Sequence, residues 1–281
     1  MKDQREQTKP SANRIAFIGA GNMARSLISG LLASGHAATD ICASDPSVEQ
    51  RSLIEALGVA THATNAPAIE DADIIVAAVK PQVLGEVLNH LTIHCKSQLL
   101  ISVAAGAPIN SLQAWTSKEQ PIVRCMPNTP ALLGVGVTAL YANAHVRPDQ
   151  HAAAQRVLEA AGKVVWLTDE TQLDAVTAVS GSGPAYFFYL MEAMVAAATE
   201  LGLDKETATF LTLETAYGAA CMARNGDPSP ATLRENVTSP GGTTERALSI
   251  LNEHNVHASI KQALAGATRR AEELAEEFGN S

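Results

Sequence analysis

Residues 14–24 read RIAFIGAGNMA, and this stretch decides how the first half of the chain is expected to fold. It begins with a short apolar run typical of a buried strand, and apolar residues then recur at helical spacing as far as Gly35. Gly19 and Gly21 stand between the two in the form GxGxxA. The first glycine permits a tight turn, the second lets a pyrophosphate approach the backbone, and a small third residue allows close helix–strand contact. The stretch therefore predicts a dinucleotide-binding strand–turn–helix unit, with a ligand-free glycine turn as the alternative.

The rest of the first half repeats this alternation of short strands and helical patterns. Further strand-like runs lie at 41–45, 72–80, 99–105, 121–127, 135–142 and 163–169, and helical patterns lie at 47–57 and 82–92. Several of the runs are apolar throughout, which is typical of strands buried on both faces. Such alternation indicates a parallel sheet with helices on both sides, so we predict one α/β domain over residues 14–169.

The pattern changes from residue 170 onward. Apolar residues recur there at three- and four-residue spacing through 172–179, 184–202, 204–224, 244–254 and 256–278. We therefore predict an all-α domain over residues 170–281. Its alanine-rich helices are so apolar that we expect them to pack against a second copy, in a homodimer or a larger assembly. Residues 1–13 are polar and lack the apolar core of a signal peptide, so they are predicted to be a disordered tail.

The composition narrows the classes of partner. The chain has 20 basic and 29 acidic residues, a formal net charge of −9, which argues against binding to nucleic acid or to an anionic membrane surface. Its most apolar long stretch, 185–198, is interrupted by Glu192 and is too short to span a bilayer. The four cysteines form no CxxC pair, which argues against a disulfide framework or a thiolate zinc site and indicates a reducing compartment, the cytoplasm.

Motifs of hydrolysis and of phosphoryl transfer are missing from the sequence, which holds neither a GxSxG elbow nor a GxxxxGKS/T loop. His90 and His94 are four residues apart and His254 and His257 are three apart, but neither pair belongs to an HExxH motif, so no metal site is predicted. No histidine–carboxylate pair has the pattern of an alcohol dehydrogenase acid/base set. This absence agrees with hydride transfer to a group, such as an imine, that needs little assistance from a catalytic acid or base.

Asp45 lies 24 residues after Gly21, at the end of the second predicted strand. A carboxylate at this position can accept hydrogen bonds from an adenosine ribose and would repel a 2′-phosphate, which favours NADH. Ser44 beside it could instead donate to such a phosphate. The alternative for Asp45 is a solvated helix cap before Pro46.

Lys80 and a run of small residues stand at the carboxyl ends of two further predicted strands. In an open parallel sheet, ligands bind beyond the carboxyl ends of the strands. Lys80 could reach a ribose or an anionic substrate there, and the alternative is an ordinary solvated lysine. The small residues of 104–106 let a flat ring come close to the backbone.

Residues 239–244, SPGGTT, precede a predicted helix. Two glycines followed by two hydroxyl residues expose several unpaired amide donors at a helix N-terminus, where the helix dipole favours an anion. The segment therefore predicts a site for a carboxylate-sized anion, and simple N-capping by Thr243 is the alternative. Residues 180–184, SGSGP, also precede a helix, but their glycines are predicted to serve a turn or a helix–helix contact.

Six stretches of the sequence together resemble the pyrroline-5-carboxylate reductase family. They occur in order and at compatible spacings: GAGNMA at 19–24, AVKP at 78–81, SVAAG at 102–106, RCMPNTP at 124–130, DAVTAVSGSGPAY at 174–186 and ENVTSPGGTT at 235–244. The resemblance implies a Rossmann-like domain followed by a helical dimerisation domain, in dimers that often assemble further to decamers. It also implies reduction of L-1-pyrroline-5-carboxylate to L-proline with NADPH or NADH, the last step of proline biosynthesis.

The same resemblance implies a role for residues in each part of the site. The residues that would hold the pyrophosphate are Ile18, Gly19, Ala20, Gly21, Asn22 and Met23. Those near the adenosine ribose would be Ser44, Asp45 and Asn65. Those lining the nicotinamide end would be Ala78, Val79, Lys80, Pro81, Ala104 and Ala105. Those surrounding the substrate would be Glu170, Asn236, Gly241, Gly242, Thr243 and Thr244, with the amides of residues 241–244 on its carboxylate.

Thr244 is the implied catalytic residue, whose hydroxyl would hydrogen-bond the ring nitrogen and help to deliver or retain its proton. Asp45 departs from the hydroxyl or basic residues often seen in NADPH-preferring members of the family, so use of both cofactors is expected. Two other functions compete with this one. The first is a reductase of another cyclic imine or of a β-hydroxy acid, in the 6-phosphogluconate-dehydrogenase-like group, whose usual second-domain lysine motif is missing here. The second is a non-catalytic nucleotide sensor, against which the intact SPGGTT segment argues.

Overall fold

A computed structural model describes residues 13–91 and 97–279 of the chain. Residues 1–12 of the predicted tail lie outside the described residues, and so does His94. Contacts divide the chain into two compact units, one made of residues up to 181 together with those from 267 on, the other of residues 182–266. The predicted domain boundary between residues 169 and 170 differs from this division of the chain and stays a prediction.

The described part of the first unit is built on one eight-stranded sheet. Its strands are β1 (Ile15–Ile18), β2 (Ile41–Ser44), β3 (Ala60–His62), β4 (Ile74–Ala77), β5 (Leu99–Ser102), β6 (Ile122–Met126), β7 (Gly136–Ala142) and β8 (Gly162–Trp166). They lie in the order β3-β2-β1-β4-β5-β6-β7-β8, and each neighbouring pair is parallel except β6 and β7. The strand order reverses between β1 and β4, the topological switch point beside which open α/β sheets bind ligands. The predicted α/β class is confirmed.

Two features of the sheet go beyond the prediction. β3 is missing from the predicted strands because it has only three residues, too few to display a strand pattern. β6 and β7 run antiparallel because the segment 127–135 between them is shorter than the dozen or more residues that a parallel crossover needs.

Helices pack on both faces of the sheet, and the side chains of β1 alternate between the two buried clusters that form there. Ile15 and Phe17 belong to one buried cluster, whereas Ala16 and Ile18 belong to the other, because successive side chains of a strand point to opposite faces. The helices before residue 182 are α1 (Asn22–Ala33), α2 (Val48–Glu55), α3 (Ala66–Ile69), α4 (Pro81–Asn89), α5 (Ile109–Ala114), α6 (Pro148–Glu159) and α7 (Gln172–Val176). The sequence patterns indicate α1, α2, α4 and α7, but α3, α5 and α6 are not among the predicted helices.

The second unit is helical throughout its regular structure, as predicted. Its helices are α8 (Gly183–Glu200), α9 (Lys205–Asn225), α10 (Pro230–Asn236), α11 (Thr243–Glu253) and the first part of α12 (Val256–Gly279), whose last turns belong to the first unit. Asp204 caps α9, because its side chain accepts a hydrogen bond from the amide of Thr207 at 2.9 Å. The short helix α10 is the one that the sequence patterns miss.

Helices α8 and α9 carry large apolar side chains that the described chain leaves exposed. They are Phe187, Phe188, Tyr189, Leu190, Met194, Phe210, Leu211, Leu213, Tyr217 and Met222. Exposed apolar surface of this extent marks a site of association with another macromolecule. Among the residues that the structure describes, no helix combines the length and the apolar character needed to cross a membrane.

Candidate functional site

A cleft of about 920 Å³ opens in the first unit beside the carboxyl ends of β1, β2 and β4. Its volume lies within the range of small-molecule and cofactor sites. Nine of the residues predicted to hold a cofactor line it, namely Gly19, Gly21, Asn22, Ser44, Asp45, Asn65, Ala78, Val79 and Lys80. The fold thus gathers residues from four separate sequence segments around one cavity.

The two glycines of the turn are needed for different reasons. Gly19 has a φ of +95°, and a Cβ on it would lie 2.8 Å from the carbonyl oxygen of Ala78, so only glycine fits there. Gly21 is the N-cap of α1, and a Cβ on it would have no neighbour within 4 Å. No side chain caps α1, so its first amides are left for a ligand. This arrangement fits a pyrophosphate held at a helix N-terminus.

Both carboxylate oxygens of Asp45 bind backbone amides. Oδ2 accepts a hydrogen bond from the amide of Ala20 at 2.9 Å, and Oδ1 accepts one from the amide of Ser47 at 2.8 Å. Asp45 therefore ties the glycine turn to the loop after β2. It is not the cap of α2, because that position belongs to Ser47, whose hydroxyl accepts from the amide of Gln50.

Ser44 lies in the wall of the cleft, but its side chain is buried. Its hydroxyl donates to Oδ1 of Asn65 at 2.8 Å. The interpretation of Ser44 as a donor to a 2′-phosphate disagrees with this geometry. A hydroxyl has one hydrogen to donate, and that of Ser44 is already donated to Asn65. Ser44 instead orients Asn65, which does line the cleft.

Sequence reasoning missed several residues of the cleft. They are Pro46, Ser47, Gln50, Val83, Glu86, Val87 and His90. The last four lie on α4 and the turn that ends it, at a spacing of three, four and seven residues, so they share one helix face. That spacing, directly after Lys80, is the signal in the sequence that could have found them.

The remaining predicted cofactor residues do not line this cleft, so their contact with a cofactor stays a prediction. They are Ile18, Ala20, Met23, Pro81, Ala104 and Ala105. Ile18 and Ala20 are fully buried in the core, which leaves their backbone as the part able to meet a ligand.

Glu170, predicted beside the substrate, has close partners within the first unit. Its Oε1 lies 2.8 Å from Nη1 of Arg124 and accepts a hydrogen bond from the amide of Ile109 at 2.7 Å. The side chain of Arg124 is only 6% exposed and that of Glu170 is 25% exposed. The pair is therefore a largely buried, charge-assisted link between β6 and the start of α5.

Asp174 on α7 interacts electrostatically with the same pair. Burial raises the pKa of Asp174, Arg124 lowers it, and the carboxylates of Glu272 and Glu170 raise it again. The pKa of the folded chain therefore lies above that of the unfolded chain, and the folded state binds this proton more tightly. Stability from Asp174 is therefore fully present below the unfolded pKa and is lost as the pH rises through the folded pKa.

In the SPGGTT segment of the second unit, two backbone amides donate hydrogen bonds to nearby residues of the same unit. The amide of Gly241 donates to Oε2 of Glu245 at 2.8 Å, and the amide of Gly242 donates to the carbonyl of Ser239 at 3.0 Å. The prediction that all four amides of residues 241–244 face the substrate carboxylate disagrees with this geometry. The amides of Thr243 and Thr244 have no partner among the described residues and begin α11.

The alternative of N-capping by Thr243 is not found. Gly242 is the N-cap of α11, and no side chain caps that helix. Asn236, also predicted beside the substrate, is the last residue of α10 and is exposed. In the SGSGP segment, a Cβ on Gly181 would lie 2.5 Å from Cε of Met126, which belongs to the strand β6, so the predicted helix–helix contact is not found at this glycine.

Comparisons with known proteins give a consistent result. Residues 170–274 match the family described as pyrroline-5-carboxylate reductase dimerisation, and residues 14–106 match the family described as coenzyme F420-dependent NADP oxidoreductase. The chain is 53% identical over 271 residues to pyrroline-5-carboxylate reductase of Pseudomonas aeruginosa, an alignment that covers 96% of this chain and 99% of that protein.

Two solved structures resemble the fold over nearly its whole length. Pyrroline-5-carboxylate reductase of Coxiella burnetii matches with a TM-score of 0.89 and 42% identity, covering 94% of this chain and 99% of that one. Pyrroline carboxylate reductase of Plasmodium falciparum, solved with NADP bound, matches with a TM-score of 0.86 and 28% identity, covering 95% of this chain and 100% of that one.

Proposed function

The chain belongs to the pyrroline-5-carboxylate reductase family, and we propose that it reduces the C=N bond of L-1-pyrroline-5-carboxylate with NADPH or NADH, giving L-proline. The observation that carries this proposal is the 53% identity that extends over 96% of the chain. The reaction is the last step of proline biosynthesis. It adds a hydride to the carbon of the C=N bond and a proton, taken up from water, to the ring nitrogen.

The described residues fit a nicotinamide cofactor. The open space beside Gly21 and the uncapped start of α1 suit a pyrophosphate, and the exposed Lys80 adds a positive charge to the same cleft. When bound, the cofactor supplies the hydride. The glycine turn then holds its phosphates, and Asp45 keeps that turn in place through the amide of Ala20.

The substrate is proposed to bind at the start of α11. The free amides of Thr243 and Thr244 hold its carboxylate, where the helix dipole favours an anion. The Thr244 hydroxyl hydrogen-bonds the ring nitrogen, orients the ring and retains its proton. Catalysis then rests on positioning and on fixed dipoles rather than on a strong acid or base.

Oxidation of the cofactor tests this proposal directly. Purified protein is mixed with L-1-pyrroline-5-carboxylate and either NADPH or NADH, and absorbance at about 340 nm is followed. Rapid oxidation of either cofactor is expected, with L-proline as the product. A β-hydroxy acid with the oxidised cofactors serves as the matched substrate for the competing dehydrogenase function. No turnover of the pyrroline by folded, cofactor-binding protein would contradict the proposal.

Thr244→Ala is expected to lower kcat by about 10-fold or more, because one hydrogen bond to the reacting ring is lost. Thr244→Ser retains the hydroxyl and should keep most of the activity. Steady-state kinetics of both variants provide the measurement. An alanine variant with the kcat of the unmodified chain would remove Thr244 from the mechanism.

Asp45→Asn is expected to raise the NADPH/NADH ratio of kcat/KM about fivefold. Removal of the carboxylate charge relieves ~1 kcal/mol of repulsion towards a 2′-phosphate near a solvated surface. Asp45→Ser should raise the ratio too, with weaker binding of both cofactors because the hydrogen bond to the amide of Ala20 is lost. Asp40→Asn, just before the opposite end of β2, is the matched control and should leave the ratio unchanged. An unmoved ratio in both Asp45 variants would show that this carboxylate does not face the ribose.

The chain associates with itself through its dimerisation domain, and the exposed apolar side chains of α8 and α9 offer the surface for that contact. The dimers are proposed to assemble further to decamers. Light scattering on the purified protein measures the mass of the assembly and so distinguishes a decamer from a dimer.

The chain is proposed to act in the cytoplasm, because the three cysteines that the structure describes are unpaired. Residues 14–169 and 170–281 are proposed as its two domains.

A further inference from the structure

One carboxylate oxygen joins two distant parts of the first unit. Oε1 of Glu170 contacts both Nη1 of Arg124 at 2.8 Å and the amide of Ile109 at 2.7 Å. Arg124 lies in β6, whereas Ile109 is the first residue of α5. The link therefore fixes where α5 begins, and with it the end of the segment 103–108 that leads into α5 from β5.

That segment lies beside the wall of the cofactor cleft. The amide of Val103 donates to the carbonyl of Ala77 at 3.2 Å, so the chain leaves β5 next to the end of β4. Ala78, Val79 and Lys80, which follow directly after β4, line the cleft. Segment 103–108 is therefore placed next to the part of the cleft assigned to the nicotinamide.

The segment is also held from its other side. Gly106 has a φ of +79°, and a Cβ on it would lie 3.3 Å from atoms of both Leu274 and Phe278 in the last turns of α12. Ala107 in the same segment is fully buried. The position of the segment thus depends on a packing contact at Gly106 and on the carboxylate of Glu170 at its end.

We propose that Arg124 and Glu170 are a positioning pair that sets segment 103–108 against the nicotinamide ring, with Glu170 acting through the amide of Ile109. The inference rests on the proposed function, because it assigns the pair a part in hydride transfer. Small displacements of a reacting group reduce the rate strongly, by about 100-fold for 1 Å. The charge of Glu170 compensates the buried Arg124 and so serves stability, whereas the oxygen that accepts from the amide of Ile109 serves the positioning of the segment.

Glu170→Ala tests the proposal through the kind of kinetic defect that it causes. Loss of the link should lower kcat about 10-fold and raise the primary isotope effect measured with 4-deuterated NADPH, because hydride transfer becomes slower. The KM for L-1-pyrroline-5-carboxylate should stay within about twofold. Glu170→Gln keeps an oxygen that accepts from Ile109 and should restore much of kcat. A large rise in the KM for the pyrroline, with an unchanged isotope effect, would mean that Glu170 touches the substrate and would overturn the proposal.

A second variant guards against simple misfolding. Removal of one partner of a buried ion pair leaves an uncompensated charge, whereas removal of both is often tolerated. The double variant Arg124→Met with Glu170→Met should therefore fold and show the same loss of kcat. Asp149→Ala breaks an exposed pair with Arg147 and is the matched control, for which unchanged kinetics are expected. A double variant with the kcat of the unmodified chain would also overturn the proposal.

Amide hydrogen exchange separates this proposal from the proposed function. Without any substrate, the amides of residues 103–107 and of Ile109 should exchange faster in Glu170→Ala than in the unmodified chain or in Asp149→Ala. Equal exchange in all three proteins would refute the positioning role. If the unmodified chain oxidised no cofactor with the pyrroline, the proposed function would fail, while this exchange comparison would still decide whether Glu170 holds the segment.

Discussion

Gly21→Val should abolish binding of NADPH and NADH while the chain stays folded. Gly21 has φ −71° and ψ −173°, a conformation open to any L residue, and a Cβ there meets nothing within 4 Å. The fold therefore tolerates valine. The pyrophosphate does not, because the branched side chain stands where its oxygens approach the first amides of α1. Loss of two charge-assisted hydrogen bonds of about 1.5 kcal/mol each raises Kd by more than about 100-fold.

Titration of cofactor fluorescence and a thermal melt together measure this effect. Gly21→Ala should bind with intermediate affinity, since a single methyl group intrudes less. Gly19→Ala is the contrasting variant, because Gly19 has a positive φ and its added Cβ would press on the backbone of Ala78, so it should lose stability as well. If Gly21→Val bound NADPH normally, the turn at residues 19–24 would not be the pyrophosphate site.

Gly30→Ala should destabilise the fold by about 2 kcal/mol, although it is a change that normally strengthens a helix. In an open helix, alanine in place of glycine stabilises by about 1 kcal/mol. Gly30 lies on α1 where that helix meets the end of α6, and a Cβ on it would overlap the carbonyl group of Ala160, with 2.6 Å to the carbonyl carbon. Backbone cannot rotate away as a side chain can, so the two helices must separate, and overpacking of this kind costs about 1–3 kcal/mol or more.

Gly266→Ala on α12 is the matched control, because a Cβ there has no neighbour within 4 Å. It should leave stability unchanged or raise it. Denaturant unfolding of the two variants provides the comparison, and opposite signs are expected for the same substitution in two helices. A Gly30→Ala variant as stable as the unmodified chain would mean that α1 and α6 do not approach so closely.

Particular residues show how far sequence reasoning reached into the site. Gly19, Gly21 and Asp45 were found because strand, turn and helix follow each other within a few residues, and the chemistry of each position is local. The interpretation of Ser44 as a phosphate donor is wrong, because the side chain of Asn65, 21 residues away, accepts the hydrogen bond of its buried hydroxyl. The residues of α4 that line the cleft were missed, although their helical spacing was visible.

Most of the strands and helices, the glycine turn and the family of the chain are readable from the sequence alone. These depend on periodicity, on backbone conformation and on motifs read within short windows. The tertiary structure decided which groups become partners. Glu170 meets Arg124 across 46 residues and Ile109 across 61, and the antiparallel pairing of β6 with β7 follows from a short connection. Such choices are not readable locally, because a side chain's partner depends on which distant segments the folded sheet and its helices bring within hydrogen-bonding distance.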